Sequence, residues 1–156
     1  MSAGLWTWAV AAYEAPGVAV ACLDLQDAQG QNVPLLLWAG WAAATGRPVD
    51  DDAVEAACDT ARVWEDSAVA PLRAVRRALK TRRPDMDDDA RETVRTQVKA
   101  VELEAERHLL AALEDLTPPG HGPARPVLPA LIAVSRLWGP VTPRTALALL
   151  ADRLPA

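Results

Sequence analysis

The sequence predicts an all-α protein, a compact bundle of about six or seven helices around a buried central helix at about residues 33–45. Three features of the chain point there. Apolar residues recur at helical spacing along most of its length, and the alternation that marks strands is missing. Proline, glycine and short polar residues fall between these stretches, where they start or stop helices. One stretch, VPLLLWAGWAAA at residues 33–44, has no polar face, which is the pattern of a helix enclosed by others.

Taken in order, the first helix covers about residues 3–14, with Ser2 as its N-cap, and stops at Ala15-Pro16-Gly17. The second covers about 17–29 and ends at Gly30, a natural C-cap. Its apolar arc holds Val18, Ala19, Cys22, Leu23 and Leu25, and Gln26 falls inside that arc, so the amide is expected to be buried and bonded. The central helix follows Asn32, carries Pro34 in its first turn and ends at Gly46. A fourth helix starts at Asp50-Asp51-Asp52 and reaches about Trp64. Pro71 is expected to break or kink the path, before a helix over about 70–82 that Pro84 ends. The longest helix runs over about 87–116, with a stripe from Val94 to Leu116 facing the core. Leu103 and Leu110 lie nearly opposite that stripe, so either a C-terminal helix covers them or they belong to a partner contact. A Pro-rich linker at 117–129 leads to a short helical pair, about 128–137 and 143–153, with Thr142 and Pro143 as the N-cap and first residue of the last helix.

The 156 residues fit a single domain, long enough to bury a sizeable core. A net charge of −5 gives the molecule no general attraction for nucleic acid or anionic membranes. Cys22 and Cys58 do not make a disulfide framework at this length and read as reduced core residues. The N-terminus lacks a basic leader pattern, and the apolar part of the central stretch is shorter than the ~20 residues that span a bilayer. A soluble cytoplasmic protein is the expectation, with no membrane association.

The strongest charge feature is LRAVRRALKTRR at residues 72–83. Arg73, Arg76, Arg77, Lys80 and Arg83 share one arc of a helix, while Leu72, Val75 and Leu79 face the core. Such a stripe can hold an anion or an acidic partner, or it can pair with the chain's own carboxylates. It lacks interleaved aromatics, which argues against single-stranded nucleic acid. The run 85–89 fails as a calcium loop, whose sixth and twelfth places hold Ala90 and Thr96, and DDAVE at residues 51–55, which resembles an aspartate-rich magnesium motif of helical isoprenoid synthases, has no second copy in the chain. Both runs sit at helix starts, where carboxylates cap free N–H groups. His108 and His121 have no patterned nucleophile partner, and no phosphate loop or paired-cysteine motif occurs. No cofactor and no metal are expected.

Two functions from different classes fit. The leading one is a small, non-catalytic interaction or adaptor protein that contacts another protein through Arg73, Arg76, Arg77, Lys80 and Arg83, with Leu103 and Leu110 as possible additions. The alternative is a binding protein or enzyme for a small hydrophobic or isoprenoid-like molecule, in a cavity lined by Gln26, Trp38 and Trp41.

The segments LWTWAVAAYEAPGVAVACLDLQD, LLLWAGWAAATGR, PLRAVRRALK and ELEAERHLL occur in that order between about Leu5 and Leu110. Together they resemble a family of small, all-helical proteobacterial proteins grouped as a domain of unknown function. The resemblance implies an all-helical cytoplasmic bacterial protein and implies no activity.

Overall fold

The computed structural model describes residues 4–120 and 122–155; Ser2 and His121 lie outside them. The described residues form helices α1 (Leu5–Glu14), α2 (Val18–Asp27), α3 (Val33–Ala44), α4 (Asp51–Trp64), α5 (Ala70–Ala78), α6 (Asp88–Asp115), α7 (Val127–Trp138) and α8 (Arg144–Arg153). A π turn over Glu65–Val69 joins α4 to α5. Among the described residues the chain therefore makes seven continuous helices and no strand.

Helix α3 is the centre. Every residue from Val33 to Ala43 is buried, and α1, α2, α4, α6 and α7 all pack against it. Its start is set by Asn32, whose Oδ1 accepts from the Leu35 N–H at 2.9 Å. Its end is set by Gly46 at φ +71°, a left-handed conformation that a side chain would strain. The Pro-rich linker then folds back onto this end. Gly122 N–H donates to the Gly46 carbonyl at 3.2 Å and Arg125 N–H to the Ala43 carbonyl at 2.8 Å. Those bonds satisfy carbonyls that a helix terminus leaves open.

Predicted caps recur at two other starts: Asp50 accepts from Ala53 N–H and Asp87 from Ala90 N–H. Helix α1 is capped differently. Gly4 stands at its N-cap with no side chain to offer, and Glu114 Oε1 at the far end of α6 accepts the Leu5 N–H at 2.9 Å. That bond lays α1 along α6. Three expectations need correcting. Thr142 makes no cap for α8, whose N-cap is Pro143. Pro71 does not break the path; the chain widens into the π turn just before it. A proline ring has no N–H and crowds the carbonyl four residues back, and the wider turn absorbs both while Ala70 N–H still reaches the Glu65 carbonyl. Gln26 is only half-buried, and its Nε2 donates to the neighbouring Asp27 at 3.2 Å. The buried arc of α2 is the narrower set Val18, Ala21, Cys22 and Leu25.

The buried glutamine is Gln31, in the turn between α2 and α3. Ser135 Oγ donates to Gln31 Oε1 at 2.7 Å, and Trp138 Nε1 donates to the Gly30 carbonyl at 2.9 Å. Helix α7 thereby locks the reversal that delivers the chain into its central helix. Among the described residues no single helix is long and apolar enough to cross a membrane.

Candidate partner-binding cleft

The expected arc needs correcting: α5 ends at Ala78, so Arg73, Arg76 and Arg77 lie on it while Lys80 and Arg83 lie past its end, and it is the arginines that turn toward α6 while Val75, expected to face the core, is exposed. Arg76 grips Glu102 with two bonds, Nε to Oε2 at 2.6 Å and Nη2 to Oε1 at 3.3 Å. Arg73 lies between Glu65 at 3.2 Å and Glu102 at 3.5 Å. Asn32 Nδ2 donates to Glu65 Oε2 at 3.3 Å, tying this cluster to the start of α3. The hydrogen bond to Glu102 raises the Arg76 pKa. Arg77 reaches Asp27 on α2 at 2.5 Å, in an exposed pair of small energetic weight. Lys80 and Arg83 are exposed and have no ion-pair partner among the described residues. The acidic runs supply little of this pairing: Asp50 and Asp87 cap helices, and Asp88 takes Arg82.

Gln26 does not meet Trp38 or Trp41. Both tryptophans are fully buried. Trp38 Nε1 donates to Thr117 Oγ1 at 2.6 Å, and the Arg47 guanidinium stacks 4.3 Å above the Trp41 ring. Trp38 borders a separate depression between α3, α4 and α7, with Asp51 and Arg125 at its rim. Gln26 instead edges a trough with Arg76, Lys99 and Glu102 that is open to solvent.

That trough adjoins a second concavity, with which it shares lining residues. Between α1 and α6, above the first turn of α3, lies an open cleft of 430 Å³. One wall is Trp6, Val10 and Tyr13, spaced so that they share a face of α1. The other wall is Leu103, Glu106 and Leu110 on α6, again one helical face. Val33, Pro34 and Leu37 form the floor. Leu110 is buried here by α1, not by a C-terminal helix, and Leu103 stays exposed. Tyr13, Leu103 and Glu106 border both the cleft and the trough.

Glu106 is the distinctive group. It is half-buried and makes no hydrogen bond or ion pair among the described residues. Burial pushes its carboxyl up to about 7, and the negative charges of Glu102 and Glu65 add to the effect; Arg73 and Arg76 oppose it. Burial also raises the Tyr13 phenol, with Cys22 and Glu106 contributing. The thiols of Cys22 and Cys58 are free and buried, and burial pushes each up to about 11.

The Glu106 shift has a stability consequence with a definite sign. Between 4.5 and about 7 the folded chain keeps a proton that the unfolded chain has lost, so stability falls as pH rises through that window. Glu106→Gln removes the effect. It is expected to be near neutral at about pH 5 and to stabilise by roughly 2 kcal/mol at about pH 8. Urea unfolding at the two pH values checks this; an equal effect at both would contradict it.

Of the residues around the cleft, the sequence singles out Leu103 and Leu110 but not Trp6, Tyr13 or Glu106. Trp6 and Tyr13 share a face of α1 and Glu106 lies on a face of α6, and the three come together only when α1 meets α6. Among the described residues no group of three acidic, histidine or cysteine side chains is placed to hold a metal. His108 stacks on Trp64 with ring centroids 6.3 Å apart and faces Glu104.

No curated protein and no solved structure matches the chain. A family model described as "Protein of unknown function (DUF2390)" matches residues 4–113, which take in α1 to α6 nearly whole and both walls and the floor of the cleft. The chain belongs to that family.

Proposed function

We propose that the protein is a non-catalytic interaction protein of the bacterial cytoplasm, and that it contacts another protein through the cleft between α1 and α6. The observation that carries this is the exposure of large apolar side chains along one concave line: Val10 42%, Tyr13 42% and Leu103 57%. Apolar surface clustered around an open groove is the pattern of a recognition site for a partner's helix. The free buried thiols fit a reducing compartment. The basic arc of α5 takes a supporting place. Arg73, Arg76 and Arg77 already hold carboxylates, and only Lys80 and Arg83 are free to reach outward.

The reading as a small-molecule site draws on the same cleft, whose volume lies within the usual range for such sites, about 300–1,000 Å³. It fits less well. Gln26 is parted from Trp38 and Trp41, and the trough beside it is open, not enclosed.

Affinity capture from cells with matched variants tests the proposal. Leu103→Asp is expected to lose at least roughly tenfold of the wild-type partner signal, because it puts a charge on the apolar wall. Leu137→Asp, at a 56% exposed position on α7, is expected to keep it. Both should retain the helical spectrum and melting temperature. Equal capture by all three proteins would overturn the proposal. Charge reversal at Arg73 or Arg76 is not a clean test, because it would leave Glu102 facing another carboxylate.

A further inference from the structure

Resting on the cleft reading above, we infer that the occupant is an amphipathic helix of a partner protein that carries a lysine or arginine within its apolar face, and that Glu106 receives this cation.

The cleft has the dimensions of a helix seat. Its α1 wall is 10 residues long, about 15 Å, which matches two to three turns of a guest helix. Its surface is aromatic and aliphatic except at two places, Glu14 and Glu106, both acidic. Charge complementarity therefore selects among apolar helices. A guest with a carboxylate at that level would be repelled, and a wholly apolar guest would strand Glu106 away from water without a partner.

The protein's own cations do not meet this need. Arg73 and Arg76 are bound to Glu65 and Glu102 and do not line the apolar cleft. Arg107 lies 4.8 Å from the centre of the Trp6 ring, beside the next depression along α6. Lys99 lies in the trough, and among the described residues no lysine or arginine lines the cleft itself. The groups facing Glu106 are then Tyr13 from α1, Glu102 from α6, Arg73 and Arg76 from α5 and Glu65 from the π turn; α3 contributes only apolar residues. An arriving cation would favour the ionised carboxylate, so binding would expel a proton near neutral pH, and affinity would rise as pH rises through the carboxyl's raised range.

The experiment uses the full chain and three designed amphipathic peptides of about 18 residues, with a Leu/Ala face bearing lysine, norleucine or glutamate at its centre. Binding is read by NMR from the Trp6 indole and Leu103 methyl signals, at about pH 6 and about pH 8. The lysine peptide is expected to bind roughly tenfold tighter than the norleucine peptide at the higher pH. It should gain several-fold in affinity between the two pH values, and the glutamate peptide should bind weakest. In Glu106→Gln both the lysine preference and the pH dependence should vanish while the norleucine peptide still binds. Equal binding of lysine and norleucine peptides, or a lysine preference that survives Glu106→Gln, would overturn the inference. If that equal binding is abolished by Leu103→Asp, the cleft reading stands without the cation. If no peptide moves either signal at millimolar concentration, the cleft reading falls and the inference with it.

Discussion

Trp38→Ala is expected to lower stability by about 4 kcal/mol, the largest effect of any single truncation considered, and to cut the melting temperature by roughly 10 °C or more. Trp38 is fully buried in the middle of α3, the helix that five others enclose. Truncation leaves a void that rigid neighbours on several helices cannot all collapse into, so the cavity cost adds to the lost transfer energy. It also strands Thr117, whose Oγ1 accepts from the indole at 2.6 Å and donates to the Leu113 carbonyl at 2.9 Å. Trp38→Phe keeps most of the volume and loses the bond, and should cost about half as much. Thermal and urea unfolding of the two variants separates packing from bonding. A loss under about 1 kcal/mol for the alanine variant would mean that α3 is not the keystone of the bundle.

Glu102→Gln is expected to cost roughly 3–5 kcal/mol, because it removes the anion that two arginines share. Glu102 is buried on α6; it holds Arg76 by two bonds and stands 3.5 Å from Arg73. The neutral amide takes from the partly buried Arg76 guanidinium the carboxylate it is bonded to. Burying an ion pair brings little net gain, yet breaking one from a single side is expensive. The double variant Arg76→Met with Glu102→Leu should therefore be markedly more stable than Glu102→Gln alone, since Arg73 keeps Glu65. Urea unfolding of the two variants decides it: a double variant no better than the single would show that the cluster's worth lies outside this pair. Losing the Glu102 charge should also let the Glu106 carboxyl ionise more readily, visible by NMR titration, because that charge is one cause of its raised pKa.

The core was legible in the sequence because its signal is local and redundant. A stretch such as Leu35 to Ala43 with no polar face has no stable place except the middle of a bundle, and Asn32 and Gly46 punctuate it. Cap residues such as Asp50 and Asp87 were legible for the same reason: a cap is a short-range bond, three residues long. The basic arc of α5 was legible as an arc, but its partners were not. Glu65, Glu102 and Asp27 lie 8, 26 and 50 residues away from the arginines they meet, and helical spacing says nothing about such distances. The long helix shows the same limit. Its stripe is buried at Ala105, Leu109 and Leu113, while Val94 and Val101 remain exposed beside the short α5. The cleft was hidden because its two walls are about 100 residues apart and meet only once α1 packs along α6, held there by the Glu114 cap and by Arg107 over Trp6. Gln26 misled because the second helix buries a narrower arc than its composition allows, its exposed Val20 and Leu23 being as apolar as its core.

The π turn at Glu65–Val69 makes spacing along this rod a matter of phase. Each residue of a helix advances the direction of every later side chain by about 100°. Deleting or inserting a single residue between Trp64 and Arg73 would swing all of α5 by that angle and aim its guanidinium groups away from Glu102. Side chains on this segment can be exchanged singly without that loss, whereas a one-residue change of length there would break the Arg76–Glu102 grip.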